Sequence, residues 1–437
     1  MFPELKENIE EGLHMQANDT MTSLWLATTP MPHYPALSGQ EHADVCVIGA
    51  GIAGLTSAYM LLREGKTVVL IESDGIGSGE TGRSTAHFFP PDERFSELER
   101  FFGTSNANMV ADSYRKATDC VESIIRAEAI DCEFERLDGY LFNPDGQWSE
   151  VLEREYAVTT RLGLNVRRFE RVPGLHFDTG PCLRFARQAQ FHPLKYLAGL
   201  ARAITALGGR IYDNTRALDV AGEGRRQCVK TEHGKVRAGA VVVATNVPFN
   251  PRFALPAKQE SYQSYVVALR VPRDAVARFL LWDTGQPYYY VRIAPAPDAN
   301  YDLLVVGGQD HLSTLDADPA RRHDEIEAWA RARFPIASEV AYRWSGRVME
   351  PTDGIAFLGR NPMDEGDVFI ISGDSGNGMT HCTAGAILVT DLILGRANTW
   401  SDLYSPARQP YHGRSVEDDG APTPQFYFAG FNPGALD

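Results

Sequence analysis

Gly49, Gly51 and Gly54 stand in the spacing G-x-G-x-x-G, at the end of the apolar run ADVCVIG and the start of LTSAYMLLREG. That spacing serves a phosphate-bearing cofactor. The first glycine permits a tight turn, the second lets the backbone approach a pyrophosphate without a Cβ in the way, and the third lets a helix pack on its strand. The helix N-terminus then faces the phosphates with free N–H groups and the positive end of its dipole. Glu72 ends the next strand, KTVVLIE, about 20 residues on, where a carboxylate accepts hydrogen bonds from ribose hydroxyls. Ala58, Gly65 and Val68 fill supporting positions of the same unit. The set predicts an adenine-dinucleotide site but does not separate FAD from NAD, because both present the same adenosine diphosphate. Further on, small residues crowd Gly75 to Thr85 in GIGSGETGRSTAHFF. Such a backbone either turns strongly enough to pass beside a ring system or ribityl chain, or forms a surface turn.

These residues need a strand, a turn, a helix and a second strand to hold them, and ADVCVIG, GAGIAG, LTSAYMLLREG and KTVVLIE supply a parallel βαβ unit. GRIYDN (209–214) and AGAVVVA (238–244) read as later strands of the same sheet, and DVFIISGDSGNGMTHCTAGAILVTDLILG as strand, glycine loop and helix. TDCVESIIRAEAI and YLAGLARAITALGG have helical periodicity. SYVVALRV, PYYYVRIA and YDLLVVGG predict a mainly antiparallel sheet. The reading is an α/β chain: an arm over 1–40, a nucleotide domain from 41–105, 186–254 and 345–400, an α+β second domain from 106–185 and 255–344, and a tail over 401–437. No internal repeat of 20–50 residues is present.

The 437 residues suffice for two cores. Hydrophobic residues at 43% and charged residues at 23% are ordinary globular usage. A net charge of −15 repels phosphate backbones and anionic headgroups, so nucleic acid and membrane surfaces are excluded as partners and small molecules are expected. With no apolar run near 18 residues and an acidic, non-signal-like start, a soluble cytoplasmic protein is expected. The six scattered cysteines form neither a Cys-x-x-Cys pair nor a metal-spaced set, so reduced thiols and no metal are expected.

From Leu24 to about Arg408 the chain resembles the D-amino-acid oxidase and glycine oxidase superfamily of FAD-dependent oxidoreductases. Within it, the chain is most similar to the branch whose longer members add a C-terminal Rieske iron–sulfur domain. The resemblance rests on LWLATTPMPHYPAL, GAGIAG with Glu72, SGETGRSTA, QFHPLKYLAGLA, VVVATN, YRWSGRVMEPTDGIAFLGR and GNGMTHCTAGAILVTDLILG, in that order. It implies a Rossmann-like FAD domain of discontinuous segments and a substrate domain whose antiparallel sheet covers the flavin. It also implies that Gly49, Gly51 and Gly54 meet the pyrophosphate and Glu72 the adenosine ribose. Thr81, Arg83, Ser84 and Thr85 would run beside the isoalloxazine and ribityl, with Ala244, Thr245 and Asn246 as a turn near the cofactor. The loop from Gly376 and Asn377 into Gly378, Met379 and Thr380 would open a helix at the pyrimidine edge, where amides and the helix dipole stabilise negative charge. The tail beyond Ser405-Pro406-Ala407-Arg408 has no cysteine and only His412, so no iron–sulfur cluster is expected. Arginine at position 83, where some members tether FAD through histidine, implies a non-covalent flavin, with His87 and Cys382 as the residues that would overturn this.

The activity implied is hydride transfer from the C–N bond of a small amine or N-substituted amino acid to flavin N5, giving an imine. Oxygen or an unknown acceptor takes the electrons. Such chemistry needs positioning more than a nucleophile. His87 is a candidate proton acceptor or a hydrogen-bonded structural histidine. Tyr290 and Arg292 alternate on PYYYVRIA with one side-chain direction, on a strand that roofs the site in the family. Arg292 would either pair with a substrate carboxylate or form a surface salt bridge. Tyr265, Trp344 and His381 fit packing or cofactor support, and Lys258 is either an oxygen-activating charge or a solvated loop lysine. Two other readings keep the fold: a flavoenzyme for a larger biosynthetic intermediate, and a flavin subunit that passes electrons to a separate protein.

Overall fold

The computed structural model describes residues 22–88, 94–223, 226–247, 249, 258–314, 318–364 and 366–409. In chain order the elements are α1 (Leu24–Thr28), β1 (Gly39–Ile48), α2 (Ile52–Arg63), β2 (Val68–Ile71), a 3-10 turn (Glu80–Arg83), β3 (His87–Phe88), α3 (Arg94–Ala127), β4 (Glu135–Phe142), α4 (Glu150–Arg161), β5 (Val166–Phe169) and β6 (Cys182–Gln190). There follow α5 (Pro193–Ala206), β7 (Arg210–Tyr212), β8 (Ala217–Glu223), β9 (Arg226–Thr231), β10 (Gly234–Asn246), β11 (Gln259–Pro272), β12 (Leu280–Asp283), β13 (Tyr289–Pro295) and β14 (Tyr301–Leu312). The chain closes with α6 (Pro319–Arg333), β15 (Val340–Pro351), β16 (Phe357–Arg360), β17 (Val368–Ser372) and α7 (Gly378–Ile393).

The run Val45-Cys46-Val47-Ile48 is apolar on both sides and is buried on both, as the middle strand of a parallel sheet must be. Val45 and Val47 join a core with α2, α3, α5 and α7, while Cys46 and Ile48 pack with Val220 and Val229 of the β8–β9 hairpin. The strand order is β16-β17-β10-β1-β2-β7, with β1 parallel to both β10 and β2. From β1 the chain turns through α2 to β2 on one side and reaches the other side only at β10. The carboxyl end of β1 is therefore a topological switch point, the place where open α/β sheets bind ligands.

The second sheet runs β15-β11-β14-β13-β12-β4-β6-β3 and is antiparallel apart from the β12–β4 pair. Alternation along β11 sends Tyr265, Val267 and Leu269 toward Ile326 and Ala330 of α6. Val266 and Ala268 face the other way, into the core shared with the parallel sheet. That opposite face overhangs the switch point. The strands expected at 209–214 and 238–244 are β7 and β10 of the parallel sheet, and those in SYVVALRV, PYYYVRIA and YDLLVVGG are β11, β13 and β14. β15 crosses residue 345 unbroken.

The expected arm is described from residue 22 and the expected tail to residue 409, so His412 lies outside the described residues. None of the six cysteines is in a disulfide. Among the described residues no helix is long and apolar enough to cross a membrane.

Candidate functional site

A cavity of about 1070 Å³ runs from the switch point to the underside of the antiparallel sheet. It slightly exceeds the roughly 300–1,000 Å³ usual for one small-molecule ligand. At its base, Gly49 adopts φ +105°, and a Cβ there would lie 2.5 Å from the carbonyl oxygen of Ala244. A Cβ on Gly54 would overlap the Gly49 carbonyl oxygen, so α2 rests directly on the turn that precedes it. Gly51 is the N-cap of α2 and has no side chain of its own to cap it; the first helical N–H, of Ile52, donates to Thr81 Oγ1 at 3.1 Å. The carboxylate of Glu72 accepts the Ala50 N–H at 2.6 Å and the Ser73 hydroxyl at 3.0 Å, which ties the end of β2 to the glycine turn. Glu72, Ala244, Thr245 and Asn246 line the cavity, Asn246 in the left-handed region at φ +62°. A glycine cradle, a helix start that opens on it and an acidic strand end fit an adenine dinucleotide.

The segment from Gly82 to Ala86 crosses the cavity with every backbone carbonyl captured from outside. Ser23 Oγ donates to Gly82 O at 2.5 Å, Trp344 Nε1 to Arg83 O at 2.8 Å and Trp25 Nε1 to Ser84 O at 2.7 Å. Arg292 Nη1 donates to Thr85 O at 2.8 Å and to Ala86 O at 3.0 Å. With the carbonyls held away, the side chains of Thr81, Arg83, Ser84 and Thr85 line the cavity. The clamp also holds Ala86 at φ +55°, a conformation that a residue with a Cβ adopts only at a cost of about 1–3 kcal/mol.

On the opposite wall α7 starts at Gly378, its N-cap Asn377 making no side-chain cap bond. Gly376, Asn377, Gly378, Met379, His381 and Cys382 line the cavity, whereas Thr380 is buried behind that surface. His381 is fixed between Tyr114 Oη (2.9 Å) and Asp374 O (2.8 Å). Burial raises the Asp374 carboxyl to about 7, against the N–H of Met349 that lowers it.

His87 is buried at the cavity wall, with Nδ1 3.0 Å from Thr85 Oγ1 and the ring edge-on to Tyr290 at 5.7 Å. Burial, and secondarily the charge of Arg292, hold its imidazole well below the ordinary histidine range, so it is neutral at physiological pH. Tyr290 shares a 3.1 Å hydrogen bond with Ser264 and lies across Gly307, where a Cβ would overlap its ring. Gly307→Ala is expected to lift that ring off the sheet and to destabilise the fold by about 1–3 kcal/mol, the usual cost of overpacking. Urea denaturation of the variant checks this.

Arg292 takes a different place from that expected. It points the same way as Tyr290 but sits two residues deeper, fully buried and outside the cavity lining. Nη1 binds the carbonyls of Thr85, Ala86 and Phe191, and the guanidinium lies 5.2 Å from the Trp25 ring centre. It is neither a carboxylate ligand in the cavity nor part of a surface ion pair. Lys258 is also displaced from its expected role: Nζ donates to Pro406 O and Arg408 O and anchors the chain's last described turn, outside the cavity. Tyr265 turns away from the cavity to bond His311 Nε2 at 3.0 Å. Sequence reasoning missed Tyr288, Asp310, Glu80 and Arg347, which also line the cavity, and Trp25 in the clamp.

A family model described as FAD dependent oxidoreductase, DAO, matches residues 44–392. The chain is 28% identical to YhfW of Bacillus subtilis (strain 168), named as a Rieske 2Fe-2S iron-sulfur protein, over 90% of this chain and 76% of that one. It is 24% identical to gamma-glutamylputrescine oxidoreductase of Escherichia coli (strain K12), over 90% of this chain and 93% of that one. The fold is similar to that of glycine oxidase from Geobacillus kaustophilus, with a TM-score of 0.67 at 21% identity, covering 84% of this chain and 99% of that one. The match over most of the chain, on a fold with a dinucleotide cradle at its switch point, shows that this protein belongs to the DAO family of FAD-dependent oxidoreductases.

Proposed function

We propose that the enzyme oxidises the C–N bond of a small amine or N-substituted amino acid to an imine, which water then hydrolyses. The observation that carries this reading is the buried, neutral imidazole of His87, set beside Tyr290 where the dinucleotide crevice meets the antiparallel sheet. An amine arrives in water mainly as an ammonium ion and must lose a proton before its C–H can be oxidised. A neutral imidazole at the cavity wall is placed to pass that proton on to water, its low pKa keeping it free to accept again. FAD, when bound, supplies the acceptor for the hydrogen and electron pair that leave the carbon. Gly49, Gly51 and Glu72 would hold its adenosine diphosphate. Thr81, Arg83, Ser84 and Thr85 would flank the ring system, and the start of α7 would favour negative charge there. Tyr290 and the sheet above exclude water and orient the substrate. The names of gamma-glutamylputrescine oxidoreductase and glycine oxidase support a nitrogen-bearing substrate.

The test is anaerobic mixing of the yellow enzyme with primary amines, secondary amines and N-methyl amino acids. At least one class is expected to bleach the oxidised flavin bands, and His87→Gln to slow that bleaching about a hundredfold. A panel that leaves the spectrum untouched throughout would sink the reading.

A further inference from the structure

The half of the cavity beyond Tyr290 carries a charge of its own. Along β14, Leu303 and Val305 face the shared core while Leu304 and Val306 face α6, so strict alternation would send Asp310 toward α6. It does not go there. Gly308 (φ +146°) and Gln309 (φ +60°) break the alternation, where β14 spends three steps, Gly308 to His311, against two on β11, Tyr265 to Gln263. Gln309 is the residue turned toward α6, donating to Tyr289 Oη and accepting from Arg322 Nη1, and Asp310 swings into the cavity. Bulges that re-aim one side chain recur beside functional sites.

Around Asp310 the walls suit a cation. Tyr288 Oη donates to Oδ2 at 2.7 Å, while Oδ1 is shielded from solvent and has no hydrogen-bond partner. An unpaired buried carboxylate oxygen is costly until a donor reaches it. Tyr288 and Tyr290 stack with ring centres 5.8 Å apart, and π faces attract ammonium groups. The charges that act on Asp310 are Glu350 and Arg322, and the hydroxyls of Ser264 and Tyr288 act on its carboxyl as hydrogen-bond donors. Burial lifts its carboxyl to about 6, so it is ionised at neutral pH. Of the cations that line the site half of the cavity, Arg83 and Arg347 both have Glu80 as their counter-charge.

We propose that Asp310, flanked by Tyr288 and Tyr290, is a subsite for a second positively charged nitrogen, so that the substrate is a diamine or another amine with a cationic group remote from the bond oxidised. This rests on the amine-oxidising reading above. His87 packs against Tyr290, and Tyr288 leads on from Tyr290 to Asp310. One molecule can therefore present a neutral amine near the imidazole and an ammonium ion at the carboxylate.

The FAD-loaded enzyme is titrated with butyltrimethylammonium, which cannot form an imine, and with pentanoate, following the flavin difference spectrum and the heat of binding. Flavin reduction by 1,4-diaminobutane and by butylamine is then compared. The cation is expected to bind and the carboxylate not to. The diamine is expected to outperform the monoamine about tenfold or more in reduction rate per concentration. Asp310→Asn collapses that ratio toward one and weakens cation binding tenfold or more, whereas Asp310→Glu, which keeps the charge, retains most of both. Equal binding of pentanoate and cation, or cation binding that survives Asp310→Asn in a yellow, folded variant, overturns the subsite. If the cation binds through Asp310 but no amine bleaches the flavin, the amine-oxidation reading fails and the subsite stands.

Discussion

Gly54→Val is expected to yield a colourless protein. A Cβ at position 54 overlaps the carbonyl oxygen of Gly49, which is backbone and cannot rotate aside. Gly49 in turn abuts the carbonyl of Ala244 on β10, 2.5 Å from where its own Cβ would sit. The new side chain must therefore push α2 away from the turn, moving the helix N-terminus from the place where phosphate would rest and straining the bond from Ala50 N–H to Glu72. Overpacking of this kind costs about 1–3 kcal/mol or more in stability. The loss in cofactor affinity is expected to be larger, because the glycine turn, the helix start and the Glu72 strand end shift together. Visible absorbance after purification and equilibrium titration with FAD measure it. A yellow Gly54→Val enzyme with wild-type flavin affinity would remove the cradle from the account.

The cradle was legible because its constraints are local. Gly49, Gly51, Gly54 and Glu72 lie within 24 residues, and each is demanded by the turn, helix or strand end on which it sits. The antiparallel strands were legible from their alternating and aromatic runs. What alternation gives is direction, not depth, and this explains Arg292. Its side chain points as the pattern predicts, but partners 207 and 206 residues away, the carbonyls of Thr85 and Ala86, decide that it ends beneath the loop instead of in the cavity. Asp310 was hidden by the opposite failure. Its direction depends on a bulge at Gly308 and Gln309, and a bulge flips every side chain that follows. The clamp on residues 82–86 was invisible for a third reason. Trp25, Trp344 and Arg292 come from three distant segments and meet only on backbone carbonyls, which leave no pattern in side-chain types.

Arg292→Met should therefore disturb the enzyme in a way that a lost substrate contact would not. Nη1 serves three buried carbonyls, and each one left without a donor costs about 1–3 kcal/mol. Part of that is offset, since the variant no longer buries a charge whose pKa has already been pulled down to about 9. A net loss of about 3 kcal/mol is expected in urea denaturation of the holoenzyme, together with weaker flavin retention as Ala86 relaxes from φ +55°. The more telling readout is the pH profile of flavin reduction. The charge of Arg292 is the second cause, after burial, that keeps His87 unprotonated. Removing a neighbouring cation raises a histidine pKa, so the acidic limb of the profile should move up toward 6.5, and activity should be lost at a higher pH than in the wild type. Arg292→Lys keeps the charge and at least one of the three bonds, so its acidic limb should stay near the wild-type position even though stability falls. If Arg292→Met lowers stability while leaving the acidic limb in place, the arginine only braces the loop. If the limb moves in Arg292→Met and not in Arg292→Lys, the buried guanidinium also sets the protonation state of His87.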